Sequence, residues 1–280
     1  SSDLNITGNL TIGSSNKSQV VTEASGSTEG GDAAVGASLA LTLLEDSSNS
    51  LLARDIAGAG NIDITAFNYS RSESSSTASV TGGKEEDDEG NPPDDSNVDQ
   101  KVEDQLDYGQ EKQGKSESEK EEAPAAESEE GKVSVAAAVS TNIADSESEA
   151  KIADGTEVTG NDLTLNSENQ TDAAAIANGS TVDSTAKLGV GAAVSLNKVN
   201  SMNNTYLGNG TYNINSLNQQ SLMRVMPPEN SDEDPDETSE FKTEATSGAG
   251  ASKVGVAGGF ALNLIENKVT TEIADSSIIN

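Results

Sequence analysis

The chain has 280 residues, of which 32% are hydrophobic and 2% aromatic, and it contains no Cys, His or Trp. Acidic residues outnumber basic ones 48 to 16, which gives a formal net charge of −32 at pH 7. Nucleophilic and zinc chemistry based on His or Cys is thereby excluded, and the charge opposes binding to nucleic acid phosphates. No apolar run approaches the ~20 residues that span a bilayer, so we expect no membrane insertion by this segment.

Two acidic segments interrupt the chain and set the predicted domain boundaries. Residues 84–130 hold 19 acids and 5 lysines, and residues 228–240 hold 7 acids and no base. Such segments bury too little apolar surface to offset the entropy of ordering, so we expect disordered insertions there. The remaining residues, 1–83, 131–227 and 241–280, are predicted to form β-solenoid repeats.

Outside the insertions the chain repeats itself. Gapless alignment brings together residues 32–46, 132–146, 187–201 and 253–267, with a repeat of 53–55 residues once the insertions are removed. The insertions are expected at equivalent places, just before two of these segments. Two columns of the alignment keep one kind of side chain. One is all valine (Val35, Val135, Val190 and Val256), and the other is polar (Thr42, Asn142, Asn197 and Asn263).

Alternation of apolar with small or polar residues favours strands over helices, for example in 188–197. Glycine at alternate positions would cost a helix about 1 kcal/mol each, although the Ala-rich stretch 133–139 alone is compatible with a helix. Asn178-Gly179, Asn209-Gly210 and Asp154-Gly155 predict turns.

The repeat therefore predicts an all-β fold, a right-handed parallel β-helix (β-solenoid) built from ~53–55-residue repeats that stack on neighbouring repeats of the same chain. We expect stacking to bury the apolar side of each repeat and to turn the valine and asparagine columns into ladders. At two or three coils per repeat, about ten coils would form a rod on the order of 50 Å long. Both chain ends fall within a repeat, which predicts a piece of a longer array.

The repeat sequences resemble those of a known class of proteins. KVSVAAAVSTNIADSESEAKIADG in 132–155 and KLGVGAAVSLNKVNS in 187–201 are similar to repeats of giant secreted bacterial surface exoproteins. That class includes the leukotoxin-like and filamentous-haemagglutinin-like proteins of two-partner secretion. The resemblance extends over the chain outside the acidic insertions. It implies a β-helical shaft and an extracellular or cell-surface location, and it implies no catalytic residues.

Candidate metal ligands are confined to acidic clusters and one recurrent turn. Asp232, Asp234, Asp236 and Glu237 are dense enough to hold calcium weakly, yet calcium takes about 6–8 oxygen ligands and no EF-hand loop is present. Asp154, Asn209 and Asp275 recur at one place in the repeat, where turn formation and calcium coordination are both open. The asparagine column is open to amide stacking, which we favour, or to ligand binding along one face.

One principal hypothesis and two alternatives follow. We predict a structural shaft segment of an adhesin-like or filament-forming surface protein, without enzymatic activity or a required cofactor. Its partners would be further copies in fibres, or a host or neighbouring cell surface or glycan. The first alternative is a calcium- or glycan-binding surface module that acts through the acidic insertions. The second is a segment of a leukotoxin-like exotoxin.

Overall fold

The computed structural model describes residues 4–29, 33–81, 133–182, 186–223 and 239–280. Within these ranges the chain is all-β, and every pair of neighbouring strands is parallel. The strands in chain order are β1 (Leu4–Asn5), β2 (Leu10–Glu29), β3 (Ala33–Leu52), β4 (Ile56–Ala57), β5 (Ile62–Thr81), β6 (Val133–Ile152), β7 (Thr156–Thr159), β8 (Asp162–Val182), β9 (Leu188–Leu207), β10 (Gly210–Asn213), β11 (Ser216–Leu222), β12 (Phe241–Ala249), β13 (Val254–Ile273) and β14 (Ile278–Ile279).

The strands form three sheets, which the chain visits in a fixed order. A closing sheet of short strands has the order β1-β4-β7-β10-β14. The first long sheet contains β2, β5 and β8, and both β11 and β12 pair with β8; the second long sheet has the order β13-β9-β6-β3. Each coil passes from the closing sheet to the first long sheet and then to the second. This is a parallel β-solenoid, consistent with the predicted right-handed β-helix.

Each 53–55-residue repeat forms one coil. The long strands of the second long sheet have 20 residues each, about 66 Å at 3.3 Å per residue. Equivalent residues of successive repeats are direct strand partners, as Val135 is of Val190. The expectation of two or three coils per repeat and a 50 Å rod is therefore wrong. The described residues form four coils, about 19 Å along the stacking axis, because the alternation continues through 20 residues without a turn.

The hydrophobic core lies at the corner where the closing sheet meets the two long sheets. Large side chains are fully buried there, including Tyr212, Ile62, Ile152 and Leu163. Farther along the long strands the interior is lined mostly by Ser, Thr and Asn around a small cluster that includes Leu44 and Val199, and at the far end mostly by Ala and Gly. The interior thus becomes thinner with distance from the closing sheet.

Glycine permits close approach of the two long sheets at this thin end. A Cβ added at Gly179 would overlap the carbonyl oxygen of Ala192, and one added at Gly36 would lie 2.8 Å from the carbonyl oxygen of Ser79. Gly179 lies inside β8, so the turn predicted at Asn178-Gly179 does not form. At Asp154-Gly155 the predicted turn is present, and Gly155 has a φ of 78°.

The small side chains of the second long sheet point inward, and its larger apolar side chains point outward over the first half of each strand. On β3, for example, Ala34 and Ala40 are buried, whereas Val35 and Leu39 are only partly covered. This differs from the expectation that stacking buries the apolar side of each repeat. The physical reason is the close approach of the two long sheets, which leaves room mainly for Gly, Ala and Ser between them, with Val80 also buried there.

The two acidic insertions lie at different places in the coil. The first joins β5 to β6, where the chain passes between the long sheets, and the second joins β11 to β12. Because Leu222 pairs with Glu168 and Phe241 with Ala173, β11 and β12 are two parts of one interrupted strand along β8. The expectation of equivalent insertion sites is therefore wrong. Residues 82–132 and 224–238 lie outside the described ranges, so the expected disorder of the insertions stays a prediction.

Candidate functional site

The asparagine column lies inside the solenoid, where it joins the two long sheets. Asn142 and Asn197 are fully buried, and Asn142 Nδ2 donates to Asn197 Oδ1 at 2.8 Å and to Ser72 Oγ at 2.9 Å. Asn197 Nδ2 in turn donates to the carbonyl oxygen of Ala173 at 3.0 Å, on the first long sheet. These amides form hydrogen bonds between coils and between sheets, and they do not line an outer face.

The same column continues into the first and last coils with similar bonds between sheets. Thr42 Oγ1 donates to the carbonyl oxygen of Glu73 at 2.9 Å. Asn263 Nδ2 donates to the carbonyl oxygen of Phe241 at 3.1 Å. The polar column therefore links the two long sheets in all four coils.

A second asparagine column, which was not predicted from the sequence, lies on the first long sheet. Asn16 Nδ2 donates to Asn68 Oδ1 at 2.9 Å, and Asn68 is the strand partner of Asn169. Ser146 Oγ, from the opposite sheet, accepts from Asn68 Nδ2 at 2.8 Å and donates to Asn169 Oδ1 at 3.0 Å. Extending the gapless alignment through the paired segments 10–18, 62–70 and 163–171 would have revealed this column, because the asparagine is the seventh residue of each segment.

The valine column lies on the outer surface of the second long sheet. Val35 pairs with Val135, Val135 with Val190, and Val190 with Val256, in the register of the sequence alignment. Val256, on the edge strand, is 54% exposed. The column therefore forms a row across four strands that is directed away from the interior.

This row belongs to a continuous apolar surface. We use the name apolar face for the outward side chains of residues 33–43 on β3 and of their register partners at 133–143, 188–198 and 254–264. In these four ranges every outward residue is apolar or glycine except Thr141 and Lys198. Its larger members include Leu43 (53% exposed) and Phe260 (57% exposed).

Charged residues of opposite sign border the two ends of the apolar face. Lys187 and Lys253 are exposed just before the ranges that start at 188 and 254. Glu45, Asp145 and Glu266 are exposed on the outer side just after the face ends. Along the second long sheet, exposed lysines thus precede the apolar face, and exposed acidic residues follow it on the outer side.

The recurrent turn holds an aspartate that connects one coil to the next. Asp154 Oδ1 accepts from the backbone N–H of Asn209 at 2.9 Å and from the hydroxyl of Tyr206 at 3.0 Å. These two donors, with the nearby charge of Lys151, hold the pKa of Asp154 below its ordinary value. The pKa of Tyr206 is raised because its hydroxyl donates to Asp154. Asp154 therefore caps the turn of the following coil; Asp275 lies in a turn at the end of β13.

The predicted calcium ligands Asp232, Asp234, Asp236 and Glu237 lie outside the described residues. Within the described part of the chain, no group of three or more Asp, Glu, His or Cys side chains could hold a metal ion. In the described part of the chain, no helix is long and apolar enough to cross a membrane.

The register and sheet order define a repeat protein of the parallel β-solenoid class. No protein-family model, curated protein or solved structure matches the chain.

Proposed function

We propose that the chain is a structural shaft segment of a secreted, adhesin-like or filament-forming bacterial surface protein. The observation that carries the proposal is the unbroken register of the second long sheet. β6 pairs with β3 on one side and with β9 on the other over 20 residues each, without a bulge or slip. Location and secretion rest on the resemblance of the repeats to those of bacterial surface exoproteins.

Rigidity along the stacking axis supports a mechanical role. The backbone hydrogen bonds of parallel sheets run between coils, so each long strand adds a row of bonds along the axis. Buried amides such as Asn142 and Asn197 add side-chain bonds in the same direction. A body whose bonds repeat coil by coil transmits force without needing a single central core.

Open sheet edges support extension of the shaft by further coils. Within the described residues, β3 pairs only with β6, and β13 pairs only with β9. Ile265 and Val269 occupy interior positions of β13 but are 40% and 48% exposed, because no further coil covers them. Unpaired parallel edges with exposed apolar interior residues are suited to the addition of another coil.

The acidic character of the chain is compatible with a role at a crowded surface. A net charge of −32 keeps neighbouring shafts soluble through mutual repulsion. A large part of that charge lies in the two insertions, whose acids outnumber their bases 19 to 5 and 7 to 0. The shaft itself is therefore less charged than the whole chain.

Deletion of one complete coil tests the proposal. Removal of residues 153–207 joins Ile152 to Gly208 and keeps the register, because Ile152 is the strand partner of Leu207. A shaft should retain its fold with three coils, and small-angle scattering should show a body about 4.8 Å thinner along the axis. Cooperative thermal unfolding should persist.

The matched control deletes residues 153–187, which removes β7 and β8 and leaves two strands of the same sheet joined directly. This variant has no chain to close the coil and should not fold. Loss of the fold in the complete-coil deletion, or equal behaviour of the two deletions, would contradict a modular shaft.

A further inference from the structure

The apolar face is too large to be an ordinary feature of a soluble surface. Its four ranges span 11 residues in each strand, about 36 Å, and four strands, about 19 Å. The resulting area is about 700 Å², whereas the largest apolar patch of a typical monomer covers about 300–600 Å². None of the described residues covers it: Leu43, Val194 and Phe260 are 53%, 37% and 57% exposed.

This area is the size that a stable pair of copies needs. Two such faces in contact would bury about 1,400 Å² in total, within the roughly 1,200–2,000 Å² of specific protein interfaces. The face is built largely from Val, Ile, Leu and Ala side chains, the kind of side chains that packed sheets bury between their inner faces. Sheet-on-sheet packing of identical faces would bury the valine column of each copy.

The charges at its borders define the direction of the pair. A two-fold axis parallel to the stacking direction reverses the strands of the second copy, so that its basic end lies over the acidic border of the first. In the last coil this places Lys253 of one copy opposite Glu266 of the other. A pair with parallel strands would instead place the acidic borders on each other, and like charges at an interface cost affinity.

We propose that the apolar face is a docking surface for a second copy of this chain, in a two-fold pair with antiparallel strands across the interface. The contact is isologous, since each copy contributes the same surface. The inference rests on the outer surface of the second long sheet and is independent of end-to-end extension of a shaft. The acidic segment 82–132 is a poor occupant because its sequence is charged and holds few large apolar side chains.

Sedimentation of the full chain tests the pairing. At about 1 M salt, where the Debye length is about 3 Å and the net charges are screened, we expect a monomer–dimer equilibrium. Val194→Lys places a charge in the middle of the face and should weaken the dimer at least about tenfold. The matched control is Val21→Lys, because Val21 is 47% exposed on the outer side of the first long sheet. This control should leave the dimer unchanged.

Thermal unfolding of both lysine variants shows whether a variant that no longer dimerises is still folded. Each side chain is exposed, so both variants should unfold at nearly the wild-type temperature. Ile265→Lys combined with Val269→Lys disrupts the open edge but not the apolar face. That variant should keep the face-to-face dimer, which separates this contact from end-to-end stacking.

A charge exchange tests the direction of the pair. At about 0.15 M salt, where the Debye length is about 8 Å, Lys253→Glu should lower the dimer affinity relative to the wild-type chain, and adding Glu266→Lys should restore it. The two residues flank the face in the last coil, about 43 Å apart at 3.3 Å per residue, so restoration can arise only between copies. Failure of the second change to restore the dimer would overturn the antiparallel arrangement.

Three results would overturn the proposal as a whole. The first is a chain that stays monomeric at about 1 mM, which corresponds to less than about 4 kcal/mol of association free energy. The second is a dimer that Val194→Lys and Val21→Lys affect equally. The third is a monomer that dimerises only after deletion of 84–130, since the insertion would then be the natural occupant of the face.

Discussion

The side-chain amide of Asn142 donates to the side-chain oxygen of Asn197, its strand partner in the next coil, at 2.8 Å. Both residues are fully buried. Their bond joins two coils in a part of the solenoid where polar side chains alternate with a small apolar cluster that includes Val199. It shows how this fold replaces a thick hydrophobic core by hydrogen bonds between close sheets.

Replacement of Asn142 by alanine should destabilise the protein by about 2–3 kcal/mol. The change leaves Asn197 Oδ1 without its donor and removes the bond to Ser72 Oγ. Unfolding in urea measures the effect. Asn49→Ala, at an exposed outward position of β3, is the control and should change stability by no more than about 0.5 kcal/mol. An equal decrease in the free energy of unfolding in both variants would show that the hydrogen bonds of the Asn142 side chain make no specific contribution to stability.

Gly179→Ala should destabilise the protein by about 3 kcal/mol or more, because its Cβ would overlap the carbonyl oxygen of Ala192 and push the long sheets apart. Gly258→Ala is the matched control, since a Cβ there has no atom within 4 Å. Thermal unfolding of the two variants provides the comparison. A Gly179→Ala protein as stable as the control would mean that the sheets are farther apart than described.

Stability should fall at alkaline pH through Tyr212. Burial raises the pKa of Tyr212 to about 12 from an ordinary value of 10.0, and its hydroxyl donates to the carbonyl oxygen of Gly208 at 2.6 Å. Below pH 10.0 the folded and unfolded chains both keep the proton, so the contribution is fully present. Between pH 10.0 and about 12 only the folded chain keeps it, and the free energy of unfolding decreases as pH rises.

Tyr212→Phe should remove this part of the pH dependence, up to about 2–3 kcal/mol near pH 12. Urea unfolding of both proteins at intervals from about pH 9 to 12 measures it. The carbonyl of Gly208 keeps a donor in the variant, since Ser277 Oγ also donates to it at 3.1 Å. If the free energy of unfolding fell equally with pH in the two proteins, the Tyr212 hydroxyl would not be buried as described.

The carboxyl of Asp154 should titrate below its ordinary pKa of 3.8, because the Asn209 N–H and the Tyr206 hydroxyl donate to it. Its contribution to stability is present above pH 3.8 and is lost as pH falls through the lower folded pKa. Carboxyl NMR of the folded protein measures this value. Tyr206→Phe removes one donor and should raise the pKa of Asp154. A wild-type pKa at or above 3.8 would show that the cap between coils is absent.

The register of the solenoid could be predicted from sequence because each coil repeats the last. The gapless alignment that places Val35, Val135, Val190 and Val256 in one column is also the register of the second long sheet. In a parallel stack of equal coils, equivalent residues must be neighbours. Residues that align between repeats in the sequence are therefore partners on neighbouring strands of the sheet.

The direction of the side chains and the size of the coil could not be predicted in this way. Alternation shows that Val35 and Gly36 face opposite sides of a strand, but it does not show which side is inside. That choice depends on the distance between the two long sheets, which is set by contacts such as that of Gly36 with Ser79, 43 positions away along the chain. The turn predicted at Asn178-Gly179 was wrong for the same reason. Gly179 lies within a strand and allows the two long sheets to approach each other closely.

The central claim is that each repeat forms one coil with strands of 20 residues, and a distance between two spin labels tests it most directly. The chain has no Cys, so Ser15→Cys and Ser27→Cys introduce unique labelling sites at exposed outward positions of β2. One continuous strand places them about 40 Å apart, at 3.3 Å per residue. A distance below about 25 Å would mean that the chain turns between them. The repeat would then be built from shorter coils, in contradiction to the structure described above.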